Sequence, residues 1–152
     1  MFFKNPLTPT TINIDQLQNI QKNIQKLSPH PENVKIIAVT KTFNFSAILS
    51  AERQKIFNIG ESKIQETQKK ITNQNLNPKT KLHLIGHLQS NKVSHAIKLY
   101  NIILSVDSIK LLNKINQTAK NNKKTQKIFL QENTTQNPTQ KGFNSTEILK
   151  AA

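Results

Sequence analysis

The 152-residue sequence has no cysteine and no tryptophan, one methionine (Met1), one tyrosine (Tyr100), one arginine (Arg53) and only three glycines. Without cysteine there are no disulfides, no thiolate nucleophile and no Cys-built zinc site. Acidic residues are scarce, eight against 22 basic ones, which leaves a formal net charge of +14. No apolar run approaches the roughly 18 residues that would span a bilayer. The opening Met1-Phe2-Phe3-Lys4-Asn5-Pro6 is too short in apolar residues to form a secretory signal core. These absences point to one soluble, cytoplasmic domain over residues 1–152, with residues 1–12 as a loose N-terminal arm.

Leu, Ile, Val and Phe supply 44 of the 152 residues, well above the roughly 20% below which a highly charged chain tends to stay disordered. A packed core is therefore within reach. The basic excess is almost all lysine, 21 of the 22. Asn and Ile, at 19 each, share AT-rich codons with Lys, so genomic base composition can raise all three together. Specific nucleic-acid readers favour Arg for bidentate contacts and aromatic platforms for bases. The eight aromatics here lie mostly inside apolar runs. A basic nucleic-acid-binding domain is thus a remote alternative, although a +14 field attracts polyanions at low salt.

Short β-rich runs alternate with longer helical ones. Leu17, Ile20, Ile24 and Leu27 recur at helical spacing over 14–27, and Pro29 and Pro31 end that helix. The near-continuous apolar run 34–39 has the character of a buried parallel strand. Further strands are expected at 56–60, 81–86, 101–106 and 127–131, and helices at 45–54, 62–74 and 90–98. Asp107 or Ser108 would cap a helix running to about Lys120, with Ile109, Leu112 and Ile115 on one face. Residues 133–141 form a polar loop, after which Ser145 or Thr146 opens a last helix. Five strands alternating with helices argue for βα units and a parallel sheet. An open doubly wound sheet and part of a βα barrel both fit the pattern. A complete barrel needs eight units and about 250 residues.

Three segments choose between them. Lys35-Ile-Ile-Ala-Val-Thr-Lys41-Thr42 closes the first strand, Ile59-Gly60-Glu61-Ser62-Lys63-Ile64-Gln65-Glu66 the second, and His83-Leu84-Ile85-Gly86-His87-Leu88-Gln89-Ser90-Asn91-Lys92 the third. Together they resemble the pyridoxal phosphate homeostasis proteins, single-domain relatives of the alanine racemase N-terminal barrel. Leu104-Ser105-Val106-Asp107-Ser108 and the stretch from Gln131 to Gly142 support the match, which runs from about residue 14 to the end.

The resemblance implies an α/β fold, an incomplete TIM-type (β/α)8 barrel with an N-terminal helix and about five parallel units. It further implies a pyridoxal 5′-phosphate carrier in vitamin B6 homeostasis, with the cofactor held as a Schiff base on Lys41. An amine must be neutral to attack the C4′ aldehyde, and desolvation or cationic neighbours lower a lysine pKa. Active groups of such barrels sit at the C-terminal ends of strands, which is where Lys41 falls.

Ser62 takes the place of the Asn that the family sets against the pyridine ring, with one hydroxyl for an amide pair. His83 is expected in the pocket or core, its ring hydrogen-bonded to backbone. Lys141 matches a basic residue at the pocket rim. The cofactor-binding set is therefore Lys41, Ser62, His83 and Lys141, with no catalytic residue and no metal ligand.

Several departures carry weight. Lys55 stands where the family tends to end a helix with Gly, losing the left-handed cap. Glu132 replaces an apolar residue in the fifth strand. Strands six to eight, where the family places its phosphate-binding segment and an Arg beside the pyridine nitrogen, have no counterpart here. A C-terminal segment encoded separately is one partner that would supply them, and a truncated relict with weak or no cofactor binding is the alternative. Racemase chemistry needs a second acid/base residue, conventionally Tyr from another domain, and Tyr100 lies within the fourth βα region. A non-catalytic carrier is the expectation. His83 and His87, without a carboxylate near in sequence, make a poor metal site. Glu66 reads as a helix-surface charge, and Glu61 as a charge favoured near a helix start.

Overall fold

The computed structural model describes residues 11–135, 137 and 139–151. Five strands, β1 (Ala38–Val39), β2 (Asn58–Glu61), β3 (Lys81–Leu84), β4 (Ile102–Val106) and β5 (Lys127–Leu130), pair in the order β1-β2-β3-β4-β5. Every pairing is parallel. Each strand sits beside its predecessor, which is the winding of a βα barrel; a doubly wound sheet reverses its strand order instead. The sheet is thus five consecutive units of a barrel.

The helices are α1 (Ile14–Leu27), α2 (Phe45–Arg53), α3 (Ile64–Ile71), α4 (Val93–Leu99), α5 (Ile109–Asn121) and α6 (Ser145–Ala151). Asn13, Asn44 and Ser108 cap α1, α2 and α5, each accepting a backbone N–H of the first turn. These bonds satisfy donors that the helix itself leaves orphaned. At the far end of α4, the Lys124 ammonium donates to the carbonyls of Ile97 and Tyr100, and burial lowers its pKa.

The core lies between the sheet and the helices. Ile59, Leu82, Leu84 and Ile103 meet Ile48, Ala51, Val93, Ile97, Leu111 and Ile115 in one apolar cluster. Alternation along the strands sends the neighbours of these residues to the opposite face. No described helix covers that face, and Val39 and Phe129 on it remain 48% and 58% exposed.

Four sequence expectations need correction. The first strand shrinks from 34–39 to Ala38–Val39, because among the described residues β1 is an edge paired with β2 alone. On α1 only Leu17 is buried, while Ile20 and Leu27 are 49% and 75% exposed; this helix lies beside that same unpaired edge. The buried residues of α5 are Leu111, Ile115 and Ala119, and Ile109 is 42% exposed, so its inner face is rotated from the one expected. Glu132 follows β5 rather than lying in it, and is exposed, its Oε1 accepting from Ser145 Oγ at 2.8 Å. No charge is buried there.

Lys55 adopts the left-handed conformation itself, φ 59°, so the cap survives at the steric cost of a side chain. Residues 1–10 of the expected arm lie outside the described residues. Ile12 is held, its N–H donating to Ser50 Oγ at 2.9 Å.

Candidate functional site

The C-terminal ends of the strands converge on one rim. Lys41 opens the turn after β1; Ser62 follows β2; His87 follows β3; Asp107 and Ser108 follow β4; Lys141 lies in the loop after β5. Two glycines allow the rim to close up. A Cβ on Gly86 would stand 2.3 Å from Ser62 O, and one on Gly142 (φ 149°) would stand 2.5 Å from Asn133 N. Neither contact tolerates a side chain.

Lys41 is exposed and, among the described residues, has no hydrogen bond or ion pair. The backbone around it is firmly held. Thr40 Oγ1 donates to Glu61 Oε1 at 2.6 Å, the Lys70 ammonium donates to Thr40 O at 2.8 Å and to Glu61 Oε1, and Thr42 N–H donates to Glu66 Oε1 at 2.8 Å. The Glu61 and Lys70 side chains are 0% and 4% exposed. Glu61 therefore does more than face a helix start, and Glu66 is not a free surface charge. Sequence reading missed both because their partners lie 21 and 24 residues away.

His83 and Lys141 occupy different surroundings. His83 lies on the sheet face opposite Leu82 and Leu84, and its Nε2 meets the side-chain oxygen of Asn58 at 3.1 Å, not a backbone group as expected. Its Nδ1 is buried without a described partner. Burial, helped by the nearby Lys81 cation, lowers its pKa below the ordinary histidine value, so the ring is neutral at neutral pH. Asn58 draws it toward the N-terminal end of β2, away from the rim.

Lys141 Nζ meets His87 Nε2 at 2.9 Å, and His87 Nδ1 lies 3.0 Å from Asp107 Oδ2. A carboxylate accepting from Nδ1–H leaves Nε2 to accept from the lysine ammonium. With Gln89, Ser90 and Ser108 these groups line a recess of about 390 Å³. Ser108 rather than Asp107 caps α5, which frees the carboxylate for His87. Lys141 and His87 are 54 residues apart, and no local pattern joins them.

Ser62 is half-buried against Gly86. The Lys41 turn and the Lys141–His87–Asp107 row thus stand at opposite ends of the rim, with Ser62 between them. Tyr100 is buried away from solvent: its ring is 1% exposed and its hydroxyl bonds Thr67 Oγ1 at 2.7 Å. Burial, with the Glu61 and Glu66 carboxylates adding to it, pushes its pKa up to about 12 against the Thr67 hydrogen bond. Among the described residues no group of three His, Asp or Glu side chains forms a metal cage, and no helix is long and apolar enough to cross a membrane.

Comparison with known proteins places these features in a family. The profile described as "Alanine racemase, N-terminal domain" matches residues 15–152. The chain is similar to the pyridoxal phosphate homeostasis protein of Haemophilus influenzae, 30% identical over 138 residues, covering 89% of this chain and 57% of that one. Two solved structures of PipY from Synechococcus elongatus also resemble it. One, without pyridoxal phosphate, is 30% identical with a TM-score of 0.73 over 85% of this chain and 60% of that one. The other, with pyridoxal phosphate bound, is 28% identical with a TM-score of 0.70 over 88% and 59%. The chain therefore spans somewhat more than half the length of these relatives.

Proposed function

The chain belongs to the alanine racemase N-terminal-domain family, and from that premise we propose that it binds pyridoxal 5′-phosphate in intracellular vitamin B6 homeostasis, as a cytoplasmic carrier. Lys41 holds the cofactor: its ε-amine adds to the C4′ aldehyde and water leaves, forming an imine. The observation that carries this reading is the placement of Lys41, an exposed amine without an ionic partner among the described residues, in a firmly bonded turn at the rim. The naming of the Haemophilus relative and the pyridoxal phosphate held by PipY support it.

The residues present suit the aldehyde end of such a ligand better than its phosphate. Ser62 and Lys141 share the rim with Lys41, whereas His83, turned toward Asn58, serves from beneath through its orphaned Nδ1. A phosphate is commonly cradled by backbone N–H groups at a helix N-terminus. We assign that cradle to the remaining βα units of the barrel, which would pair against β1 and β5. The +14 charge assists by steering an anionic ligand inward, an effect that fades with salt.

Mixing the protein with pyridoxal phosphate, fixing any imine with borohydride and mapping the adduct tests the assignment. The adduct is expected predominantly on Lys41, and Lys41→Ala should abolish that share. If Lys41→Ala traps as much reduced cofactor as wild type, labelling is unspecific and the chain is a relict of a carrier.

A further inference from the structure

Lys41 stands between two threonines, and each is tied to the next βα unit. Thr40 is bonded through all of its polar groups: its N–H donates to Gly60 O at 3.0 Å, its hydroxyl to Glu61, and its carbonyl accepts from Lys70. Thr42 is held differently. Its φ is 69°, the left-handed region, in which a β-branched residue is a steric outlier that persists only under outside constraint. Two hydrogen bonds constrain it: Phe43 N–H donates to Thr40 O at 3.2 Å, closing the turn across Lys41 and Thr42, and Thr42 N–H itself donates to Glu66 Oε1 at 2.8 Å. Glu66 and Lys70 are four residues apart on α3, one turn along the same helix face. That face therefore grips the turn on both sides of Lys41.

We propose that Glu66 is a positioning residue for Lys41. Its carboxylate accepts the Thr42 amide and, together with the Phe43–Thr40 bond that closes the turn, holds Thr42 in its strained conformation, so that it sets the direction in which the Lys41 side chain leaves the sheet. The buried Glu61–Lys70 pair fixes the start of the turn; Glu66, half-buried on the outer rim, fixes its end. Glu66 touches neither the ligand nor the Lys41 amine and acts only through the backbone. The link to cofactor capture rests on the reading of Lys41 given above.

The test uses the full chain as wild type, Glu66→Gln, Glu66→Ala and the double variant Glu66→Ala/Thr42→Gly, with two readouts. The first is residue-resolved hydrogen exchange at the Thr42 amide, which needs no ligand. The second is the share of borohydride-fixed pyridoxyl found on Lys41 relative to the other lysines, at pyridoxal phosphate well below saturation. Glu66→Ala should lose protection at Thr42 and lower the Lys41 share several-fold with an unchanged melting temperature. Glu66→Gln keeps an oxygen acceptor and should retain both. Glycine at position 42 accepts the left-handed conformation without a Cβ penalty, so the double variant should regain much of the Lys41 share.

A Lys41 share in Glu66→Ala equal to that of wild type overturns the proposal, as does Glu66→Gln behaving like Glu66→Ala. If wild type shows no preference for Lys41, the carrier reading fails. The grip on the turn is then decided by exchange alone, and equal Thr42 protection in wild type and Glu66→Ala overturns it.

Discussion

The two faces of the sheet have very different surroundings. Toward the helices, Ile59 and Ile103 are fully buried and Leu84 is 1% exposed, whereas on the other face Val39 and Phe129 keep about half their surface in water. One side is a finished core; the other is half of one. In a closed barrel the inward side chains pack against those of the opposite strands, and five units supply no opposite strands. What the difference teaches is that the five units carry their own stability on the helix side. The open side keeps its chemistry at the rim and leaves apolar surface for something else to cover.

The sharpest way to probe the finished side is through the buried Glu61–Lys70 ion pair. Lys70→Met leaves the Glu61 carboxylate buried and uncompensated, and should cost about 3–5 kcal/mol in urea unfolding. Adding Glu61→Gln to it should return part of the loss. A cost near zero would show that water reaches the pair and that this side is less complete than it looks.

The second probe compares one residue from each face. Ile103→Ala should destabilise by about 2–5 kcal/mol, because it opens a cavity in packed surroundings. Phe129→Ala, on the uncovered face, should stay within about 0.5 kcal/mol. Equal losses would mean that Phe129 is covered in solution, by a second copy or another polypeptide, and the contrast between the faces would collapse.

The smallest effect concerns His83, the buried titratable group of the open face. Burial and the Lys81 cation lower its pKa from 6.5. The unfolded chain therefore binds this proton at a higher pH than the folded one. Stability should hold above about pH 6.5, decline as the pH falls from there toward the folded pKa, and level off below it. Thermal melts of wild type and His83→Asn between pH 7.5 and 5 should show this component of the slope in wild type alone. An identical slope in both would show that His83 is solvated in the folded chain.

Much of the fold was open to sequence reasoning, and the misses share a cause. The range of α1, residues 14–27, follows from local spacing and two prolines, and is observed unchanged. The alternation of strands and helices is equally local. By contrast, the buried face of α5 depends on where β4 and β5 stand beneath it: of Ile109, Leu112 and Ile115, the last is buried and Leu112 packs against the core, but Ile109 is turned out and Leu111 takes the inner position. At the candidate site, Lys41 and Ser62 were found through short motifs that each span a strand end. His87 was set aside for want of a neighbouring carboxylate, yet Asp107, 20 positions on, lies 3.0 Å away. A carboxylate brought in by the next strand leaves no trace in a window of ten residues.

By itself, then, the sequence determined which segments become strands and helices, which residues end each strand, and the lack of thiol chemistry. These are properties of adjacent residues: propensity, period two or 3.6, capping and composition. Only the tertiary structure decided that Glu61 is a buried anion matched by Lys70, that Glu66 reaches back to Thr42, and that Lys141, His87 and Asp107 form a row. Those arrangements depend on the register of parallel strands and the seat of each helix across them. Packing sets both, through contacts between residues that local spacing does not relate.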